Sequence, residues 1–128
     1  MPEKRIQLKF LKNQIGHVLD GTKTLEIRPR SRNWIERIAG YEYIDLTYGA
    51  RFKPPTIFAT AKLLKIEVRP FESTKKEDLQ KLSVRWKDKK PQEFIDVHNE
   101  WYKKELKKGY PVAWIHFEIT KIYEAVVN

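Results

Sequence analysis

The sequence predicts an α+β domain built around a small, mostly antiparallel, curled β-barrel with helices packed against its openings. Three observations carry that expectation. Segments with alternating apolar and polar residues outnumber those with helical periodicity. Two pairs of these strands lie close enough in sequence to pair antiparallel. The longest, from Thr56 through Val68, is long enough to need a bend or bulge, as a curled sheet does. No repeat, Gly/Ser linker or low-complexity tract interrupts the 128 residues, so the chain reads as one domain, 1–128.

The elements follow in order. Ile6, Leu8 and Phe10 alternate with polar residues and predict a half-buried strand. Leu11, Ile15, Val18 and Leu19 share one face of a short helix that Gly21 closes. Thr24 to Arg28 alternates again, and Pro29 ends that strand or confines it to an edge. Strands from Tyr41 to Tyr48 and from Thr56 to Val68 are joined through Gly49 and the Pro54-Pro55 pair. Thr74 and Glu77 have capping-box spacing and start a helix through Leu82. Pro91 opens a longer helix with Phe94, Val97, His98 and Trp101 on one face, widened by Ile95, Tyr102 and Leu106. Gly109 and Pro111 stop it, and Val112 to Tyr123 alternates as a last strand.

Composition narrows the function classes. Apolar residues at 41% and aromatics at 12% are too many for a disordered chain. No apolar run approaches the roughly 20 residues of a membrane span, and MPEKRIQLKF lacks a signal peptide's apolar core. Without cysteine there are no disulfides, thiolate catalysis or iron–sulfur clusters. The expectation is a soluble, cytoplasmic domain with no membrane partner. A net charge of +9 raises the odds of a polyanionic partner, since each phosphate neutralised releases a condensed counterion. Solvated lysine-rich surfaces account for Lys89-Lys90, Lys103-Lys104 and Lys107-Lys108.

Several motifs fail on their chemistry. Gly16 to Thr24 is not a phosphate-binding loop, because Thr22 separates Gly21 from Lys23 and a helix feeds a strand, the reverse of that motif. His17, His98 and His116 sit in different elements without neighbours at ligand spacing, so neither a metal nor a cofactor is expected. His98, on an apolar helix face, has the position of a packed, hydrogen-bonded core histidine.

The segment Lys23 to Trp34 is the informative one. In a strand, Thr24, Glu26 and Arg28 share one face, concave if the sheet curls, and Lys23 can reach the same mouth from the preceding turn. A carboxylate, a guanidinium, a hydroxyl and an ammonium around one opening can hold a nucleobase edge and a phosphate. Arg28, Arg30 and Arg32 then alternate, with Trp34 close behind; a guanidinium suits phosphate and an indole offers a stacking face. The bland alternatives are an exposed Glu–Arg pair and a loop with Trp34 tucked against the core.

The run Val18 to Arg28 resembles the signature of ASCH domains, of the PUA-like superfamily, with its G-x-K-T-x-E-x-R core present as Gly21, Lys23, Thr24, Glu26 and Arg28. Gly40 before Tyr41 is similar to that family's G-D-x-I step, with Tyr41 in place of aspartate. Pro91–Tyr102 and Val112–Ile119 are similar to its late aromatic helix and closing strand. The resemblance implies a PUA-like barrel, a cleft lined by the K-T-x-E-x-R strand, and RNA or nucleoside recognition. It also implies an alternative, because some members remove the acetyl group of N4-acetylcytidine and others are associated with ribonuclease activity. In the amidohydrolases a lysine, a threonine and a glutamate work together. Lys23 matches the lysine, Glu26 occupies the threonine's place, and Asp88 or Glu93 is offered for the glutamate.

Two expectations result, and a protein–protein adaptor whose cleft binds an acidic peptide stays open as a blander third. The first is a module binding RNA, another single-stranded nucleic acid or a modified nucleoside through Lys23, Thr24, Glu26, Arg28, Arg30, Arg32 and Trp34. The second is a hydrolase in which Lys23, Glu26 and Thr24 are catalytic, Lys23 as base or electrostatic stabiliser, Glu26 orienting water and Thr24 bonding the substrate.

Overall fold

Five extended segments set the architecture of the computed structural model, which describes residues 6–49, 55–82 and 84–123; burial alternates along the two edge strands and is continuous over part of each inner one. The strands are β1 (Ile6–Lys9), β2 (Leu25–Pro29), β3 (Tyr43–Tyr48), β4 (Thr56–Val68) and β5 (Val112–Ile122). They form one mixed sheet in the order β1-β3-β4-β5-β2. β1 runs parallel to β3; the β3–β4, β4–β5 and β2–β5 pairings are antiparallel. The sheet is strongly curled into a half-barrel, and β1 and β2 are its two edges. The expected bend lies in β4, where the register to β5 shifts between Thr60 and Ala61 and again between Leu63 and Lys65. Residues 50–54, with Pro54 of the expected Pro54-Pro55 turn, lie outside the described residues.

Two apolar clusters cover the two faces of β5. Ala113, Ile115 and Phe117 belong to one, with Leu8, Phe10, Ile44, Leu46 and Phe58. Val112 and Trp114 belong to the other, with Leu25, Ile27, Phe71, Leu79 and Phe94. This explains why residues 112–117 are continuously buried, where an alternating strand with one exposed face is expected.

The helices are α1 (Ile15–Leu19), α2 (Arg32–Ala39), α3 (Lys76–Gln80), α4 (Val84–Lys87), α5 (Pro91–Trp101) and α6 (Lys103–Lys107). Several differ from expectation. Leu11 is 68% exposed, because a 3-10 turn over Lys12–Gln14 precedes α1 and takes Leu11 off its apolar face. Gly21, at φ +82, lies just beyond the C-cap Asp20. The stretch after Pro29 is not a loop: the Ser31 hydroxyl accepts from Trp34 N–H and starts α2. Thr74 and Glu77 do not form the cap of α3. Thr74 donates instead to the Phe71 carbonyl, and Asp78 accepts from the N–H of the N-cap residue, Lys75. The late helix breaks at Tyr102 into α5 and α6.

One polar assembly ties α3 to the sheet. Arg69 makes two hydrogen bonds to Asp78, at 2.7 and 3.1 Å, while its guanidinium lies 3.7 Å from the Trp114 ring centroid. Trp114 Nε1 donates to the Arg69 carbonyl at 2.7 Å. Burial works to raise the Asp78 pKa, but the Arg69 and Lys75 hydrogen bonds outweigh it and hold the carboxyl below its ordinary value.

Candidate functional site

β2 is an edge strand, and the residues of its motif first satisfy that edge. Glu26 and Arg28 stand opposite Ile115 and Ala113, and Thr24 C=O and Arg30 N–H bond to β5 and Pro111. The even positions therefore turn their backbone groups toward β5, leaving those of Leu25, Ile27 and Pro29 on the free edge. Lys23 Nζ donates to the Leu25 carbonyl at 3.1 Å, and Leu25 N–H donates to Lys81 O. The Glu26 carboxylate accepts from Ile27 N–H at 3.1 Å. Pro29 has no N–H, and its carbonyl accepts from the Arg30 guanidinium at 2.8 Å. An edge blunted this way by charged side chains and proline resists pairing with another chain.

The same side chains form the floor of a cleft of ≈ 650 Å³. One wall comes from β1 and the turn after it, including Lys9, Phe10 and Leu11. The opposite wall comes from the helical layer, with Arg85, Trp86, His98, Trp101 and Tyr102. Among the described residues five cationic side chains line the cleft (Lys9, Lys23, Arg28, Arg30 and Arg85) against one carboxylate, Glu26. Lys23 is 3% exposed, with Nζ 3.9 Å from Glu26 Oε1. Arg28 Nη2 lies 3.5 Å from Glu26 Oε2 and donates to the Lys9 carbonyl across the gap between the two edge strands. Burial, and then the neighbouring Arg28, press the Arg30 pKa below its ordinary value; the cleft holds more positive charge than it compensates. Burial, then Glu26, raises that of the Tyr102 phenol.

The structure brings Lys23, Glu26, Arg28 and Arg30 together and leaves the other expected residues elsewhere. Thr24 does not line the cleft; it lines a second opening with Leu64, Lys81 and His116, which Lys23 lines as well. Arg32 is exposed at the first position of α2 and does not line the cleft. Trp34 is half-buried against the core beneath Arg30, whose guanidinium lies 5.6 Å from its ring, and it also lies outside the cleft lining. Asp88 and Glu93 are exposed, and neither lines the cleft.

The aromatic wall is what sequence reasoning missed. Trp86 and Trp101 meet edge to face, and the Arg85 guanidinium lies 5.0 Å from each ring. Trp101, expected inside the apolar stripe, is 53% exposed at this wall. His98 stacks on Phe94 at 3.7 Å between centroids and hydrogen-bonds through Nδ1 to the Phe94 carbonyl at 2.9 Å. It is the buried, bonded histidine the periodicity implies, and it also lines the cleft. The four-residue steps from Phe94 to His98 and from His98 to Tyr102 hint at one shared face; nothing in them indicates that β2 lies opposite. Among the described residues, no group of three or more His, Asp or Glu is placed to hold a metal ion, and no helix is long and apolar enough to cross a membrane.

No protein-family model and no curated protein sequence matches the chain. Solved structures do. The hypothetical protein PH0355 is 18% identical, with a TM-score of 0.63, over 91% of this chain and 100% of that one. An Enterococcus faecalis protein of the DUF984 family is 17% identical, with a TM-score of 0.60, over 88% and 70%. An ASCH domain from Lactobacillus crispatus is 10% identical, with a TM-score of 0.52, over 83% and 69%. The chain has the ASCH-type, PUA-like fold.

Proposed function

We propose that this ASCH-type module binds RNA, or a modified nucleoside, in the cleft between β2 and the α4–α5 layer. The observation that carries the reading is the pairing of five cations and one carboxylate with an aromatic wall in a single cleft. Cations suit a phosphodiester backbone, and an exposed indole beside a guanidinium suits a base splayed out of a single strand. In this reading Arg28 and Arg30 hold phosphate, Lys23 positions Glu26, and Trp101 with Arg85 stacks on a base. Arg32, exposed outside the cleft, adds non-specific attraction only.

The amidohydrolase or ribonuclease reading has less support. Lys23 and Glu26 are adjacent, but Thr24 does not line the cleft, and Asp88 and Glu93 are exposed outside it. The test is a titration of labelled single-stranded RNA at several salt concentrations, alongside incubation with N4-acetylcytidine and chromatography for released cytidine. Affinity falling steeply with salt and no release is the expected result. Release of cytidine that disappears in Lys23→Ala would replace the binding reading with the hydrolase.

A further inference from the structure

His98 carries a property that its packing alone does not require. Its Nδ1 faces the Phe94 carbonyl, which can only accept, so Nδ1 bears the ring proton. Nε2 is then a bare acceptor. Among the described residues Nε2 has no hydrogen-bond partner, and it is not fully enclosed. An imidazole only 8% exposed, lining the cleft with one unbonded nitrogen, has that nitrogen reachable from the cleft.

The surroundings keep the ring in this state. Burial lowers its pKa to about 4, against the opposing pull of the Phe94 carbonyl and Glu26 and with smaller help from Arg85 and Lys23. Phe94 and Tyr102 stack parallel to it, while Trp86 and Trp101 tilt against it at 5.3 and 5.0 Å, fixing the ring plane. In a cleft otherwise dominated by donors (lysine, arginine, the indoles), a rigid neutral acceptor is a rare group. It does not attract phosphate. It can accept from a ligand's N–H or O–H.

We infer that His98 is a specificity-determining residue of the cleft, whose Nε2 accepts a hydrogen bond from an N–H on the edge of a bound nucleobase, as an exocyclic amine provides. The inference rests on the nucleotide-binding reading and adds to it the chemical feature that the base must carry. A site built to accept from an N–H rejects the analogue that lacks it, because the buried acceptor is then left unpaired.

The test compares adenosine and cytidine 5′-monophosphates with their dimethylamino analogues, whose exocyclic nitrogens have lost both protons. Wild-type protein is expected to bind at least one amine-bearing nucleotide about tenfold more tightly than its dimethylated analogue. His98→Phe keeps the ring stack but lacks the acceptor, and should bind both forms within about twofold of each other while retaining salt-dependent affinity. The wild-type protein supplies a check that does not depend on the variant folding. The 15N resonance of His98 Nε2 should report an unprotonated acceptor and should move with the amine-bearing nucleotide, not with the dimethylated one. If nucleotides bind but dimethylation is without effect, or the resonance stays still, His98 has no reading role and the binding proposal survives. If no nucleotide and no RNA binds, both fall together.

Discussion

The Arg28 guanidinium on β2 donates a hydrogen bond to the Lys9 carbonyl on β1, joining the two edges of the half-barrel across the floor of the cleft. The two strands are not hydrogen-bonded to each other through their backbones, so this side chain does part of what a closing ladder would do in a full barrel. It also leans on Glu26 and lies 5.7 Å from the Phe10 ring. One residue therefore serves both the seam of the fold and the charge of the site.

Arg28→Ala should lower stability by about 1–2 kcal/mol, since a charge-assisted bond to a carbonyl is lost at a half-buried position. Urea unfolding monitored by tryptophan fluorescence measures it, through a lower midpoint at unchanged slope. RNA affinity should fall in the same variant. Arg28→Lys should recover part of the affinity and little of the stability, because the shorter side chain keeps the charge but not the guanidinium's reach and planar geometry toward the Lys9 carbonyl.

Glu26→Gln should cost about 1–3 kcal/mol. The amide oxygen can still accept from Ile27 N–H, but the nearly buried Lys23 ammonium loses its counter-charge. Adding Lys23→Met to that variant should restore part of the loss, because the unpaired buried charge is removed with it. A double-mutant cycle in urea gives the coupling, and additive losses would show that the two side chains act independently.

Stability should fall with acid through two separate groups. Asp78 is held below its ordinary value in the folded state, so its contribution is present above the unfolded carboxyl pKa and is lost as pH falls through the lower, folded one. Asp78→Asn should flatten the stability curve below about pH 4 and cost about 2 kcal/mol at neutral pH, where Arg69 loses its partner.

His98 acts at higher pH and with the sign appropriate to a buried neutral base. Its folded pKa is depressed from 6.5 to about 4, so the unfolded chain takes up the proton first. Its contribution is complete above pH 6.5 and drains away toward pH 4, by roughly 3 kcal/mol at 1.36 kcal/mol per unit. The difference between wild type and His98→Phe should depend on pH in that window. A constant difference would mean that the imidazole is not kept neutral.

Binding should report the number of cations engaged. If Arg30 contacts a phosphate of a single strand, Arg30→Ala should reduce the slope of log affinity against log salt by about 0.7. Arg32→Ala, outside the cleft, should leave the slope almost unchanged. Fluorescence anisotropy over a range of salt distinguishes the two.

Much of the chain is legible from local pattern. The strand Thr56–Val68 is observed with the expected limits and with the irregularity its length implies. The start of the late helix at Pro91 and its buried positions Phe94, Ile95 and His98 follow from a first-turn proline and a 3.6-residue period. The same reasoning failed where an unforeseen turn or helix start, or a remote partner, redirects a side chain. Leu11 and Trp101 sit at positions where the pattern places core residues, yet both are exposed and line the cleft. Trp34 looks like a free stacking face but packs on the core, because Ser31 caps a helix that turns it inward.

The sequence by itself determined the five strands and the start of the late helix, the positive charge, and the grouping of Lys23, Glu26 and Arg28 on one short segment. Those properties depend on the order of residues within a few turns of chain, where backbone geometry dictates which side chains are neighbours. Only the tertiary structure decided that β2 is an edge strand whose outward backbone is met in part by Lys23 and Glu26, that Thr24 does not line the cleft, and that His98 stands in the wall of that cleft. Those relationships depend on how a curled sheet brings residues from opposite ends of the chain together, and no local period encodes that closure.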